Sequence, residues 1–371
     1  MALALVSPDD QRVTFVELFF DLVFVFCVTQ VVTLLHGHVD ARSAGTALLV
    51  FWLVWWAWTQ FTWALNAANT DHPRVQLATL LATAVAFFLA VSIPRAPGPD
   101  AMWFALPYVA LRLVGLLLYY WVAWTDPDQR RAVRIFGLFS LAGLAAVLTG
   151  AALGGPALYW CWGLAIALDL MAAGVGGQLE GWNLHPDHFV ERHGLIVIIA
   201  LGETLIVAAA GLTDAERTPS AIGTGVLAVA VTCGLWWSYF RHARPTFEHA
   251  LAARGGAARS CLARDALSVM HFPMLCGVIA MAAALEAALA HPHEPLAADL
   301  RVALGGGALL FLSGTGAALW RATGRPPVAR LVLPPAGAAA VTATGGTPWI
   351  ALSILLATLV ALAAVEHRRD A

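Results

Sequence analysis

The chain is dominated by long apolar blocks separated by short polar segments. Most blocks run for about 20 residues, the length that an α-helix needs to cross a hydrocarbon core about 30 Å thick. No segment alternates apolar and polar residues as a half-exposed strand would. The pattern therefore predicts an all-α polytopic integral membrane protein with about 12 transmembrane helices. The predicted spans are 13–35, 44–66, 75–93, 102–124, 132–152, 156–178, 189–212, 220–240, 265–289, 299–320, 328–344 and 348–365.

Composition agrees with this pattern and excludes several classes of protein. The 371 residues are 60% hydrophobic and 12% charged, whereas a soluble globular chain is about one quarter charged. A soluble enzyme, a nucleic-acid-binding protein and a disordered protein are therefore excluded. The five cysteines have no metal-binding or disulfide spacing, and no cofactor motif occurs. We expect the lipid bilayer as a partner, and neither nucleic acid, metal nor cofactor; the sequence leaves the oligomeric state open.

The arginines orient the predicted spans. All 21 basic residues are arginine. With a cytoplasmic N-terminus, sixteen of them fall in cytoplasmic segments, including a predicted loop at 241–264, and four fall in outer segments. Such an excess follows the positive-inside rule. We therefore predict that both termini are cytoplasmic.

The two halves of the chain share short motifs. The first and seventh spans begin with Phe-Val-Glu, at Phe15 and Phe189, and the second and eighth spans each carry a Trp-Trp pair, at Trp55 and Trp236. Short aromatic matches also arise by chance in so apolar a chain. The alternative is two parallel six-helix halves, a common plan in transporters and channels. The predicted halves are residues 1–178 and 189–371, within one membrane domain.

Two carboxylates lie near the start of the first span. An ionisable residue inside a membrane costs about 2.5–3.5 kcal/mol on insertion scales, so each one requires a reason. Glu17 and Asp21 are four residues apart and therefore share one helix face. They fit cation coordination or proton exchange, or else a structural pairing with Arg192 or Arg112 from another helix.

The seventh span carries two further acids. Glu203 falls near the bilayer midplane, where it either binds a proton or solute or joins helices through a hydrogen bond. Glu191 lies at the start of this span, where it either binds a cation or forms a structural ion pair with Arg192.

Four residues elsewhere are further candidates. Asp169 in the sixth span either binds solute or neutralises Arg112. His271 in the ninth span either relays protons, since histidine titrates near neutral pH, or bonds two helices. The Trp55 and Trp56 rings either stabilise a cation or pack a wide helix interface.

Two segments carry a resemblance to a known family. Residues 16–26 (VELFFDLVFVF) and 191–203 (ERHGLIVIIALGE) resemble the bacterial low-temperature-requirement A (LtrA) family, and the likeness extends over the whole chain. The resemblance implies a multi-pass protein of the bacterial inner membrane linked to growth in the cold, without assigning an activity. The first of these segments is also similar to helix 1 of two-repeat endolysosomal potassium channels, at Phe19, Asp21, Val23 and Phe24.

Three functions fit these observations. The leading hypothesis is a transporter or channel for a small solute or cation, coupled to protons. Its binding residues would be Glu17, Asp21, Glu191, Glu203, His271, Asp169, Trp55 and Trp56. The alternative is a membrane-embedded enzyme acting on a lipidic substrate, for example an acid-initiated isoprenoid or terpene cyclase, with Glu17, Asp21 and Glu203 as its acids. A structural or stress-response scaffold is the third possibility.

Overall fold

The fold is entirely helical over the part of the chain that the structure describes. This computed structural model describes residues 5–8, 11–35, 40–179, 181–214 and 218–370. Its helices are α1 (Phe15–Thr33), α2 (Ala41–Ala67), α3 (Pro73–Ser92), α4 (Ala101–Val122), α5 (Pro127–Leu153), α6 (Gly155–Gly176), α7 (Pro186–Asp214), α8 (Pro219–Trp237), α9 (Arg244–Ala252), α10 (Gly256–Leu262), α11 (His271–Ala290), α12 (Ala298–Thr323), α13 (Val328–Ala343) and α14 (Pro348–Asp370). Among these residues the one β feature is an isolated antiparallel bridge between Val6 and Ala68.

The helix lengths confirm a polytopic membrane protein of about twelve spans. Within the described residues, eleven helical stretches are long and apolar enough to cross a membrane. The shorter apolar helix α13, of 16 residues, occupies the position of the eleventh predicted span. It contains Pro334 and Pro335, each of which removes a backbone hydrogen bond from a helix.

The loop predicted at 241–264 is wrong, because most of this segment is helical. Helix α8 continues through a π-helical segment, Ser238–Ala243, into α9. After a break at 253–255, α10 continues through a second π-helical segment, Ala263–Val269, towards α11. The loop was predicted because arginines end the apolar blocks here. An α-helix forms its hydrogen bonds within its own backbone, so it can continue past the end of an apolar block.

Local capping explains where the first two helices begin. The Glu17 carboxylate accepts hydrogen bonds from the backbone N–H and the hydroxyl of Thr14, each at 2.9 Å. This is the return half of a capping box, so the chain turns into α1 at Phe15. Asp40 precedes α2 and accepts from the Ser43 N–H at 2.7 Å. Hydrogen bonds from Ser43 hold the pKa of the Asp40 carboxyl below its ordinary value.

Glycines allow α11 and α12 to lie close together. A Cβ atom on Gly307 would stand 2.6 Å from the Gly277 carbonyl oxygen and 2.7 Å from Met281 Cγ. Small residues at such crossings let two membrane helices approach through their backbones. The contact therefore depends on the absence of side chains.

The chain forms two compact units. The first unit contains the described residues up to Val31, 45–193 and 251–264, and the second contains 32–44, 194–250 and the chain from Asp265. The shared Trp-Trp motifs have different surroundings, since Trp55 is buried whereas Trp236 is 44% exposed. The two parallel halves, 1–178 and 189–371, stay a prediction.

Candidate functional site

Three arginine side chains are fully buried among the described residues. They are Arg112 in α4, Arg192 in α7 and Arg330 in α13. A guanidinium stays charged in proteins, and a buried charge must be compensated by partners. The partners of each arginine therefore show where the molecule holds charge inside its spans.

Arg192 lies between the two acids of α1. Its Nη1 donates to Glu17 Oε1 at 2.6 Å, and its Nη2 donates to Asp21 Oδ1 at 2.6 Å. Neither carboxylate is exposed. Of the two geometries that the sequence left open for this pair, the structure contains the pairing with Arg192. Whether the pair also binds a solute or proton stays a prediction.

Tryptophans from α2 extend this arrangement. Trp58 Nε1 donates to Asp21 Oδ1 at 2.8 Å, and the guanidinium carbon of Arg192 lies 5.8 Å from the Trp58 ring centroid. Trp55 stacks on Trp58 with ring centroids 4.9 Å apart. Trp56 instead stacks on Trp52, at 5.4 Å. Trp55 is therefore one ring away from the acids, whereas Trp56 belongs to a second stack.

A histidine one turn before Arg192 completes the group. His188 Nε2 lies 3.0 Å from Glu17 Oε1, outside good hydrogen-bond alignment. His188 Nδ1 lies 3.0 Å from Asn66 Nδ2. We call Glu17, Asp21, Trp58, His188 and Arg192 the Arg192 network. All five side chains are buried.

Arg112 and Asp169 form a separate and fully paired cluster. Arg112 Nη1 and Nη2 donate to the two Asp169 oxygens at 3.1 and 2.8 Å. The remaining guanidinium donors reach Tyr108 Oη at 2.7 Å, Ser140 Oγ at 3.3 Å and Gln60 Oε1. One acid thus balances one arginine, and five donors meet five acceptors. We call these five residues the Arg112 cluster.

Two predicted residues lie in the second compact unit. Glu203 is buried in α7, and the adjacent Thr204 hydroxyl lies 3.2 Å from that of Thr232 in α8. His271 Nδ1 donates to the Ala266 carbonyl at 3.1 Å, which leaves Nε2 to accept from the Tyr239 hydroxyl at 2.7 Å. The Tyr239–His271 bond joins the first π-helical segment to the first residue of α11, two residues beyond the second π-helical segment. Turns of π-helix are frequent at functional sites.

Glu191 does not pair with Arg192. It is half-buried, and no ion pair of the described residues includes it. In an α-helix, neighbours in sequence point in different directions, so Arg192 turns towards α1 while Glu191 does not. The structural ion pair expected between them is therefore absent from the described residues.

Sequence reasoning foresaw Trp58 only as a member of the tryptophan cluster of the second span, and it missed three further contributors. His188 joins the Arg192 network and Asn66 contacts it, and Arg330 pairs with Glu366 through bonds of 2.6 and 3.1 Å. One signal was available for His188, which precedes Arg192 by four residues just as Glu17 precedes Asp21. Residues four apart lie one turn apart on the same helix face, so the members of two such pairs on facing helices can lie opposite each other.

The comparisons with known proteins place the chain in a family. The model of the bacterial low temperature requirement A protein (LtrA) matches residues 12–365. A relative in Rhizobium meliloti (strain 1021), "Uncharacterized protein RA0937", is 27% identical over 323 residues, which cover 83% of this chain and 77% of the relative. No solved structure is significantly similar. The chain therefore belongs to the bacterial low temperature requirement A (LtrA) family.

Proposed function

We propose that this protein moves a small solute or cation across the membrane, coupled to proton movement through the Arg192 network. The observation that carries the proposal is the charge of that network. Glu17, Asp21 and Arg192 are all buried within spans, and two carboxylates against one guanidinium leave a formal charge of minus one. A buried uncompensated charge is costly, so the network favours binding one positive charge.

The Arg112 cluster provides the contrast. It is formally neutral, with every guanidinium donor used. We assign Asp169 and Arg112 a structural role on this ground. The network with Glu17 and Asp21 instead changes its charge when a proton binds or leaves, which is what coupling requires.

The arginine distribution supports the proposed location in a bacterial inner membrane with cytoplasmic termini. Two of the sixteen arginines counted as cytoplasmic, Arg192 and Arg330, are buried and paired with acids. Without them the ratio is fourteen to four, still a clear positive-inside excess.

The test is ion flux in proteoliposomes holding the purified protein under a potassium gradient and under a pH gradient. Asp21→Asn and Glu203→Gln should abolish flux, because an amide cannot take up and release a proton. The control is the double variant Arg112→Met/Asp169→Leu, which removes a separate buried ion pair and should retain flux. Undiminished flux in Asp21→Asn would refute the role of the network.

A membrane enzyme remains the second candidate because aromatic rings lie beside an acid. The Trp55–Trp58 stack is one hydrogen bond from Asp21, and acid-initiated cyclisation uses a carboxylic acid together with aromatic faces that stabilise a cation. Arg192 already occupies the neighbourhood of the Trp58 ring, which favours transport. Folded protein that carries neither ion in the flux assay, but converts a component of a lipid extract, would reverse this order.

A further inference from the structure

We propose that Asp21 carries the exchangeable proton of the Arg192 network, on Oδ2, and that Asn66 directs the proton there by keeping His188 neutral. The proposal names the atom at which coupling occurs, and its relevance to flux rests on the proposed function. Its test is spectroscopic and does not need flux.

The first step is the orientation of the Asn66 amide. Asn66 Oδ1 accepts from the His185 backbone N–H at 2.9 Å, and Asn66 Nδ2 donates to the His185 carbonyl at 3.0 Å. These two backbone contacts fix which end of the amide is oxygen. The second N–H of Nδ2 therefore faces His188 Nδ1, 3.0 Å away.

The second step is the protonation state of His188. An N–H that faces Nδ1 requires an acceptor there, so the single ring proton lies on Nε2. Nε2 is the atom beside Glu17. A doubly protonated ring would place two N–H groups against each other at the Asn66 contact. Asn66 thus holds His188 in the neutral form, and His188 does not offset the second carboxylate.

The third step is the choice between the two acids. Both carboxylate oxygens of Glu17 have hydrogen-bond donors: Oε2 accepts twice from Thr14, and Oε1 accepts from Arg192 and lies near His188. Asp21 Oδ1 accepts from Trp58 and Arg192. Within the described residues, no donor reaches Asp21 Oδ2, although that atom is buried.

A proton at Oδ2 removes the uncompensated charge of the network. It forms an O–H bond on Asp21 and brings the network from minus one to zero. The titratable and charged groups around Asp21 are Glu17 on its own helix and, from α7, Arg192, His188 and His193, whose ring lies 5.1 Å from that of Trp58. Asp21 Oδ2 is the one carboxylate oxygen of the network that no donor of the described residues reaches. A single oxygen offers too few ligands for a metal cation, so a proton is the positive charge that fits.

The experiment is infrared spectroscopy of the purified protein at neutral pH, in ordinary and heavy water. A protonated carboxyl gives a C=O stretch that shifts on deuteration, and a difference spectrum between variants assigns it. Asp21→Asn should remove one such band, and it should fold because an amide resembles the protonated acid. His188→Gln tests the histidine, and labelling of the aspartate carboxyl carbons with 13C separates Asp21 from Glu17. The band should shift to lower frequency on that labelling, and an unshifted band would place the proton on Glu17 and overturn the assignment. We expect the band to persist in His188→Gln and to disappear in Glu17→Gln, where the network is neutral without the proton.

The role of Asn66 as a positioning residue has its own readout. Asn66→Leu removes the amide, so that His188 can take the second proton and the Asp21 band should disappear. Adding His188→Gln should restore the band, because glutamine cannot be protonated. A loss caused only by altered packing would not be restored.

Each result decides between the proposals. An acid band that is unchanged in Asp21→Asn would overturn the assignment of the proton, whatever the flux. A band that shifts on aspartate labelling and is lost in Asp21→Asn would leave the assignment in place. If the wild-type protein then carried no ions in the flux assay, the proposed function alone would be refuted.

Discussion

The Arg112 cluster allows a quantitative test of how buried charge is balanced in this protein. The perturbation is a double-mutant cycle of Arg112→Met, Asp169→Leu and both together. Each replacement puts an uncharged, apolar side chain of similar length in a fully buried position. The cycle isolates the interaction between the two side chains from their separate contributions.

The expected magnitudes follow from the contacts. Asp169→Leu leaves the Arg112 guanidinium buried without its counter-charge, which costs about 3–5 kcal/mol. Arg112→Met leaves Asp169 uncompensated at a similar cost. In the double variant this cluster holds no charge. The remaining cost comes from the acceptors on Gln60, Tyr108 and Ser140, which lose their Arg112 donor, at about 1 kcal/mol each. The double variant should therefore be about as stable as Asp169→Leu alone, with a coupling energy of at least about 3 kcal/mol.

The assay is unfolding by sodium dodecyl sulfate in mixed micelles, followed by tryptophan fluorescence, for which the 15 tryptophans give a strong signal. Conservative variants at distant sites give additive costs within about 0.5 kcal/mol. Additivity of that kind in this cycle would refute the reasoning, because the two buried charges would then not depend on each other.

Three further predictions concern packing, the π-helical segments and topology. Gly307→Ala should destabilise the protein by about 1–3 kcal/mol in the same assay, because the new Cβ meets the Gly277 carbonyl oxygen. The control Gly306→Ala, where a Cβ has nothing within 4 Å, should be neutral or stabilising. Equal effects of the two variants would contradict the close approach of α11 and α12. Tyr239→Phe removes the hydrogen bond to His271 and should cost about 1 kcal/mol, with no change expected if the bond is not formed in the membrane. A reporter enzyme that works only in the cytoplasm should be active when fused to the C-terminus, and a reporter that works only outside the inner membrane should be inactive there. The reverse result would contradict the positive-inside assignment.

The spans were predictable from sequence because the bilayer imposes one rule on every segment. A backbone inside hydrocarbon must bond itself, so each apolar block long enough to cross becomes a helix. The same rule says nothing outside the bilayer, and the loop predicted at 241–264 is wrong for that reason. The arginines there end the apolar blocks but do not end the helices.

The site was predictable only in part. The spacing of Glu17 and Asp21 placed both acids on one helix face, and the pairing with Arg192 was one of the geometries foreseen. The choice of partner depends on which face α7 turns towards α1, and an apolar sequence does not encode that face by a polar stripe. His188 and Asn66 were missed because their roles arise from contacts between chain segments far apart in sequence.

A comparison of Arg112 with Arg192 shows why pairing alone does not explain the Arg192 network. If its purpose were only to join α1 to α7, a single acid would suffice, as Asp169 does for Arg112. A second buried carboxylate adds a charge that the arginine cannot balance, and in the described residues it leaves both Asp21 Oδ2 and Arg192 Nε without a partner. Such an arrangement is more costly than the neutral pair. Under the proposed function this cost is offset by a positive charge that binds there and leaves again, which a purely structural contact would not need.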